Sequence, residues 1–417
     1  MEERVRCEVM KAVQRLRPAS RELCLACKGG RLLCHRPYCP LLKRVNIQGP
    51  VEAGLKEHLF GPSPSIFVGW TGYPQVFAGP LTSLEDEGAA RLDDPAQWYG
   101  ATLDEIIRMR SLLVRSKVRE DVHRRSSLVE KAQEIALSVK PVDTEVEFEK
   151  KPSYGFSFSP VSQPLGPSAV LKNLHVTENP QIPRKVDAVV SDELKASDAA
   201  FELYKSGYDV YYLTRILSSG TLGLESRRRL VPTRWSITAT DDTLGRRLTE
   251  EIRNYPPVDD YLIYSNTYLD NHFEVLLMPR HWEFEQFEAW APDTLWTAGY
   301  TEPAINRESE GYTGRTEYAA QEGGGYYASR LAVLEGLARM RRQAGVVVFR
   351  EIYEGYVIPV GVWEVRENVR RAMAGAPSRF STLGEALKAA APRLKIPLGE
   401  YLGRSYLLRQ RRLEEFA

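Results

Sequence analysis

Four cysteines fall within residues 24–39 of a 417-residue chain, spaced Cys24-x2-Cys27-x6-Cys34-x4-Cys39. A C-x2-C pair can aim two thiolates at one ion from one tight turn. Gly29 and Gly30 follow at once and permit the reversal. Cys34 and Cys39 supply a second pair. Four thiolates close a tetrahedral Zn²⁺ site with no open position, so the ion's role would be structural. His35 adjoins Cys34 and is a substitute ligand only, since sequence neighbours rarely both ligate. An iron–sulfur cluster would use the same ligands, and free loop thiols are the plain alternative. Cysteines this dense in a cytoplasmic chain point to metal before disulfide. The fifth, Cys7, reads as a core residue of a first helix over residues 1–20.

A second group with chemical potential is acidic: His281-Trp-Glu283-x-Glu285-x-x-Glu288, with His272 and Glu274 upstream. On an extended segment Glu283 and Glu285 point the same way. With His281 they could hold Mg²⁺ or Mn²⁺ for phosphodiester hydrolysis. Ordinary surface glutamates are the competing reading. Glu322-Gly323-Gly324-Gly325 leads into a helix whose bare amides suit phosphate. Its glycine spacing fits neither the P-loop nor the dinucleotide fingerprint, so a flexible lead-in turn is the better reading. Two basic stretches could meet DNA phosphates. One holds Arg108, Arg110, Arg115, Lys117, Arg119, Arg124 and Arg125. The other holds Arg227, Arg228, Arg229 and Arg234, then Arg246 and Arg247. Trp98, Tyr99 and Trp235 lie near them in sequence and could stack on bases. The bland alternative is solvated faces paired with nearby acids. With 56 basic against 55 acidic groups, net +1, any attraction to nucleic acid must be local.

The chain ends Gln410-Arg-Arg-Leu413-Glu-Glu-Phe416-Ala417. Leu413 and Phe416 stand three residues apart, so a single 3₁₀ turn presents them as one apolar plug. The Gln410 amide can donate and accept beside it. The pattern looks like the sliding-clamp (PCNA) binding box, Gln-x-x-(apolar)-x-x-(aromatic)-(aromatic). Ala417 stands where a second aromatic is usual, which implies binding of order micromolar, ~8 kcal/mol. The alternative is a terminal helix folding Leu407, Leu408, Leu413 and Phe416 onto the body.

Positioning these groups requires a sizeable scaffold, and the length suggests two or three domains. With 43% hydrophobic and 27% charged residues, the chain reads as ordinary soluble globular protein. No apolar run approaches a membrane span, and Met1-Glu2-Glu3-Arg4 lacks a secretion signal, so a cytoplasmic location is expected. Strands are expected over Ser65–Trp70 and Tyr73–Phe77, joined by a Gly-Tyr-Pro turn. Thr102-x-x-Glu105 is a capping box opening a helix with Leu103, Ile106, Ile107, Leu113 and Val114 on its apolar side. Helices follow from Ser127 to Ser138, near 193–206 and near 208–218, while 142–190 alternates strand-like runs with turns. A strand is expected at Trp235–Ala239 and a helix from Asp241 to Tyr255. Then come a hairpin (Tyr261–Tyr268, Phe273–Met278, turn Leu-Asp-Asn-His) and a helix from Gly325 to Arg342. Strands Val346–Phe349 and Val357–Val365 and helices near 381–390 and 399–410 complete the chain. Elements without regular βαβ alternation give an α+β class: two lobes of mixed or antiparallel sheets flanked by helices, with a small zinc element before them and a clamp-binding tail after.

The cysteine cluster, Ser65-Ile-Phe-Val-Gly-Trp-Thr-Gly-Tyr-Pro74 and the terminal box together resemble the archaeal Nre family. So do Trp98-Tyr-Gly100 leading into Leu103-Asp-Glu-Ile-Ile-Arg108, Trp235-Ser-Ile-Thr-Ala-Thr-Asp241 and Pro359-Val-Gly-Val-Trp363. The resemblance covers essentially the whole chain. It divides it into a zinc-binding element (1–48), Nre N-terminal (49–225) and C-terminal (226–400) domains, and a clamp-binding tail (401–417). It implies a DNA repair factor that binds the clamp through its C-terminus, and it supplies no active-site residues. A clamp-tethered repair factor that binds DNA, with metal-dependent cutting or processing of the DNA left open, is the first reading. A non-catalytic adaptor bringing another repair enzyme to the clamp is the second.

Overall fold

In a computed structural model, the described residues are 24, 26–27, 30–33, 38–124, 126–155, 165–292, 294–297 and 300–409. They form two compact units. One is built from the described residues of 40–244; the other is built from the described residues of 245–409 with those before 40. The class is α+β, with two six-stranded mixed sheets. Among the described residues no helix is long and apolar enough to cross a membrane. The first 23 residues, where a helix is expected, lie outside those described.

The N-terminal unit opens with α1 (Pro40–Gly54), then β1 (His58–Ser63), β2 (Ser65–Val68) and β3 (Gln75–Ser83). Helix α2 (Leu103–Ser111) precedes β4 (Leu113–Asp121), and α3 (Ser127–Leu137) precedes β5 (Val142–Phe148) and β6 (Ser168–Val176). The sheet order is β1-β5-β6-β4-β3-β2. Only β4 and β6 run parallel. Ser63 at the end of β1 bonds Thr82 of β3 at 3.0 Å and Thr144 of β5 at 2.7 Å. The sheet therefore curls back toward itself. Inside lie Val114, Val146, Phe148, Leu171 and Leu174. The capping box forms as expected: Glu105 N–H donates to Thr102 Oγ1 at 3.3 Å and Thr102 N–H to Glu105 Oε2 at 2.7 Å. Helices α4 (Arg184–Ser191), α5 (Ala196–Lys205) and α6 (Val210–Ser218) follow.

Helix α7 (Thr233–Ile252) carries the chain into the C-terminal unit. That unit contains β7 (Tyr261–Tyr268), β8 (Asn271–Met278), β9 (Glu283–Trp290), β10 (Ala304–Glu310), α8 (Gly324–Met340) and β11 (Gly345–Ile352). It closes with α9 (Trp363–Ala374), β12 (Ser378–Phe380), α10 (Leu383–Ala390) and α11 (Leu398–Leu402). The order is β10-β9-β11-β8-β7-β12, with β9 and β11 parallel. One face packs Leu276, Phe287 and Phe349 against Ala386, Tyr401 and Leu407. Both faces are covered, so β8 and β11 are buried along their whole length.

Five expectations are corrected. Trp235–Ala239 is helix, not strand. Its β-branched residues favour extension, but the buried positions Ser236, Thr240, Leu244, Leu248 and Ile252 recur every four residues, and burial at helical period overrides propensity. Val357–Val365 is not a strand. Pro359 cannot donate to a ladder, Gly361 has a positive φ of 109°, and Trp363 already begins α9. Leu113 and Val114 belong to β4, not to the preceding helix. Helix α4 falls where alternating strands were expected, and the helix near 399–410 shrinks to α11. The expected turn of the β7–β8 hairpin tightens to Leu269 and Asp270, both with positive φ, as a two-residue turn requires.

Candidate functional site

Of the zinc candidates, Cys24, Cys27 and Cys39 are described and Cys34 is not. The chain turns after Cys27 as the spacing demands: the Gly30 and Arg31 N–H groups donate to the Cys27 carbonyl at 3.2 and 3.3 Å. Gln410, Leu413 and Phe416 also lie outside the described residues, one to seven positions past Arg409.

The acidic group is split by the pleat. Glu283 and Glu285 do share a face of β9, but Glu288 is an odd number of residues away and points to the other. Glu285 is fully buried. It accepts from Ser405 Oγ, from Tyr406 N–H at 2.7 Å and Leu407 N–H at 3.3 Å, and pairs with Arg307 at 3.3 Å. Those bonds occupy both oxygens. Glu283 lies 3.9 Å from Arg280, and His281 Nδ1 faces the Gln343 amide at 3.4 Å. Among the described residues no three His, Cys, Asp or Glu side chains gather as a metal site. His281, Glu283 and Glu285 thus do not assemble as the sequence suggested. The reason is that Glu285 faces the C-terminal segment packed on that side of the sheet.

On the opposite face the structure assembles a cluster that sequence reading missed. Arg350 of β11 pairs with Glu288 of β9 and lies 3.4 Å from Glu364 of α9. It also donates to Asn271 Oδ1 at 3.1 and 2.7 Å. Asn368 donates to Glu364 at 2.9 Å. Burial raises the Glu364 carboxyl to about 7 against the pull of Arg350, and raises Glu288 likewise. Burial alone would lower Arg350, yet the two carboxylates hold it above its ordinary value. Gly325, in the first turn of α8, abuts this group: a Cβ there would come within 3.3 Å of Glu288 Oε2. Glu322 sits just before α8. It is buried, and neither oxygen has a hydrogen-bond partner of good geometry, nor does the Gln286 amide beside it. Burial, then Glu288, pushes its carboxyl well above the usual range. The available signal was Arg350 on the alternation of Val346 and Val348, a charge on the interior face of an apolar strand that demands buried partners.

The basic candidates divide similarly. Arg110 pairs with Asp93 and lies over the buried Trp98 ring, so neither is offered to a base. Arg228 donates to the Gly223 and Val190 carbonyls. Arg108 is exposed, 3.2 Å from Glu85. Arg227, Arg229 and Arg234 are exposed. Arg115 lies across the Phe67 ring and donates to the Gly166 carbonyl at 3.2 Å. Burial, with Arg110 nearby, lowers it to about 10. Lys117 is lowered by burial and then by Arg115. Both shifts come first from burial and second from a neighbouring cation.

Comparison with known proteins matches both halves of the chain. A family model described as archaeal Nre, N-terminal, covers residues 33–297, and one described as archaeal Nre, C-terminal, covers 310–416. The DNA repair protein NreB of Archaeoglobus fulgidus is 40% identical over 397 residues, 94% of this chain and 99% of that protein. The DNA repair protein NreA of the same organism is 40% identical over 376 residues, 89% and 94% respectively. NreA of Haloferax volcanii is 39% identical over 354 residues, 82% and 84%. No solved structure matches.

Proposed function

The chain belongs to the archaeal Nre family of DNA repair proteins, and from that premise we propose that a sliding clamp recruits it to DNA through Gln410, Leu413 and Phe416, and that it serves there as an adaptor for a repair enzyme. The supporting observation is the anchor formed by Glu285. It grips Ser405, Tyr406 and Leu407, so the body fixes the chain only three residues before the box. A short apolar motif tethered at a fixed point needs little reach and little ordering to engage a groove on a partner. A structural zinc held by Cys24, Cys27, Cys34 and Cys39 belongs to this proposal. Elemental analysis should find close to one zinc per chain.

The test is calorimetric titration of the clamp with the full chain and with Leu413→Ala/Phe416→Ala. The double variant should lose binding by tenfold or more while melting at the same temperature. Equal affinity refutes recruitment through the box.

A second reading, that the chain itself processes DNA, draws support from Glu322. Burial, then Glu288, raises its carboxyl well above the usual range, so it holds its proton more tightly than a free glutamic acid, as a general acid does. The Glu288 carboxylate nearby helps keep that proton in place. End-labelled single-stranded, duplex and branched DNA should be incubated with the chain, with Mg²⁺ or Mn²⁺ and with chelator. Cleavage abolished by Glu322→Gln, with an unchanged melting temperature, establishes this reading. Cleavage abolished instead by Glu283→Ala restores the β9 carboxylates, and no cleavage leaves the adaptor.

A further inference from the structure

On β4, Arg115, Lys117 and Arg119 alternate with Val114, Ser116 and Val118, which face the core. Among the described residues none of the three cations has a carboxylate partner. The neighbouring strands complete the same outer face. Phe77 of β3 stands opposite Arg119 and is 41% exposed. Phe67 of β2 stands under Arg115. Val170 of β6 stands beside Lys117 and is 43% exposed. Diagonal neighbours on a sheet lie about 7–8 Å apart, so Phe67 and Phe77 are separate platforms rather than one stacked pair.

The rim of this face joins the second basic stretch to the first. The Thr233 hydroxyl at the start of α7 accepts from Val68 N–H at 2.9 Å, and the Trp235 ring packs on Tyr73 at 5.0 Å. Arg234 and Trp235 therefore stand beside the β2–β3 turn, whose Trp70 is 46% exposed. Arg119 Nη2 lies 4.0 Å from where a Gly72 Cβ would be, in that same turn. Two basic runs more than a hundred residues apart in sequence thus meet around one turn carrying exposed indoles.

We propose that this outer face, with Phe67, Phe77, Lys117 and Arg119 at its centre and Trp70 and Trp235 at its rim, binds single-stranded DNA. Unpaired cations track the phosphates, and the aromatic faces stack on bases. A duplex keeps its bases stacked on one another and offers no such faces to Phe77. The open face of a curled sheet is a recurrent place for this mode of binding. The choice of DNA as the polymer rests on the repair reading above; the placement of the site does not.

Fluorescence anisotropy of the full chain with a labelled oligo(dT) and with a duplex of equal length tests it, with clamp binding measured on the same samples. The single strand should bind more tightly. Phe77→Ala should weaken it about tenfold or more. Arg119→Glu with Lys117→Glu should weaken it further and flatten its dependence on salt. All these positions are at least partly exposed, and unchanged melting temperatures confirm the fold. Single-strand binding untouched by these variants overturns the site but leaves DNA binding in place. Equal or tighter duplex binding also overturns it. No DNA binding beside normal clamp binding overturns it while sparing the clamp reading.

Discussion

The two sheets have the same strand number and one parallel pair each, yet they treat charge in opposite ways. In the C-terminal unit Glu288 and Glu364 are sealed between β9, β11 and α9 around one shared guanidinium, that of Arg350. In the N-terminal unit Lys117 and Arg119 line a partly open face, with the more buried Arg115 laid across Phe67 beside them. A sheet covered on both sides can keep charge only as internal pairs, because an unpaired buried ion is prohibitively costly. A sheet covered on one side can keep cations unpaired and available. Function that depends on capturing an anion belongs on the second kind.

Breaking one partner of each arrangement separates them. Arg350→Ala should destabilise the fold by about 3–5 kcal/mol, since two buried carboxylates lose their counter-charge. Chemical denaturation measures it, and a loss comparable to a surface substitution would place the pair outside the stabilising core. Acidity gives the next largest effect. Glu364 titrates near 7 in the folded chain against about 4.5 unfolded, so the folded state binds the proton more tightly. Its contribution is therefore complete below the unfolded value and is lost as pH rises to about 7, up to about 3 kcal/mol. Denaturation midpoints should fall between pH 5 and 7.5, and Glu364→Gln should flatten that fall. A midpoint that climbs with pH over this range would reverse the assignment. Thr102→Ala removes the capping box of α2 and should cost about 1 kcal/mol by the same assay. Smallest of all, Lys117→Ala and Arg119→Ala should alter stability by no more than about 0.5 kcal/mol, although they reduce binding of single strands. A large stability loss from either would show that the open face is structural.

Parts of this were legible residue by residue. The Thr102–Glu105 capping box, the β2–β3 and β7–β8 hairpins and the buried strand β11 follow from short-range rules: a side chain satisfying a bare N–H, a turn accepting positive φ, an apolar run too short for a helix. The β9 carboxylates show where such rules stop. Alternation placed Glu283 and Glu285 together correctly, but it could not say that Ser405, Tyr406 and Leu407 would come to lie against Glu285 and take its lone pairs.

The sequence by itself determined the family, the α+β class, the spacing of the cysteines and of the terminal box, and most local elements. All of these reside in order along the chain. Tertiary structure alone decided that Trp235 lies in the first turn of a helix and stands beside Tyr73, that Arg110 and Arg228 turn inward while Lys117 and Arg119 stay partly open, and that Glu288 parts from Glu285 to meet Arg350 and Glu364. Those outcomes depend on which face of each element is covered. Coverage is set by segments tens to hundreds of residues away, whose burial free energy exceeds the few tenths of a kcal/mol by which local propensities differ.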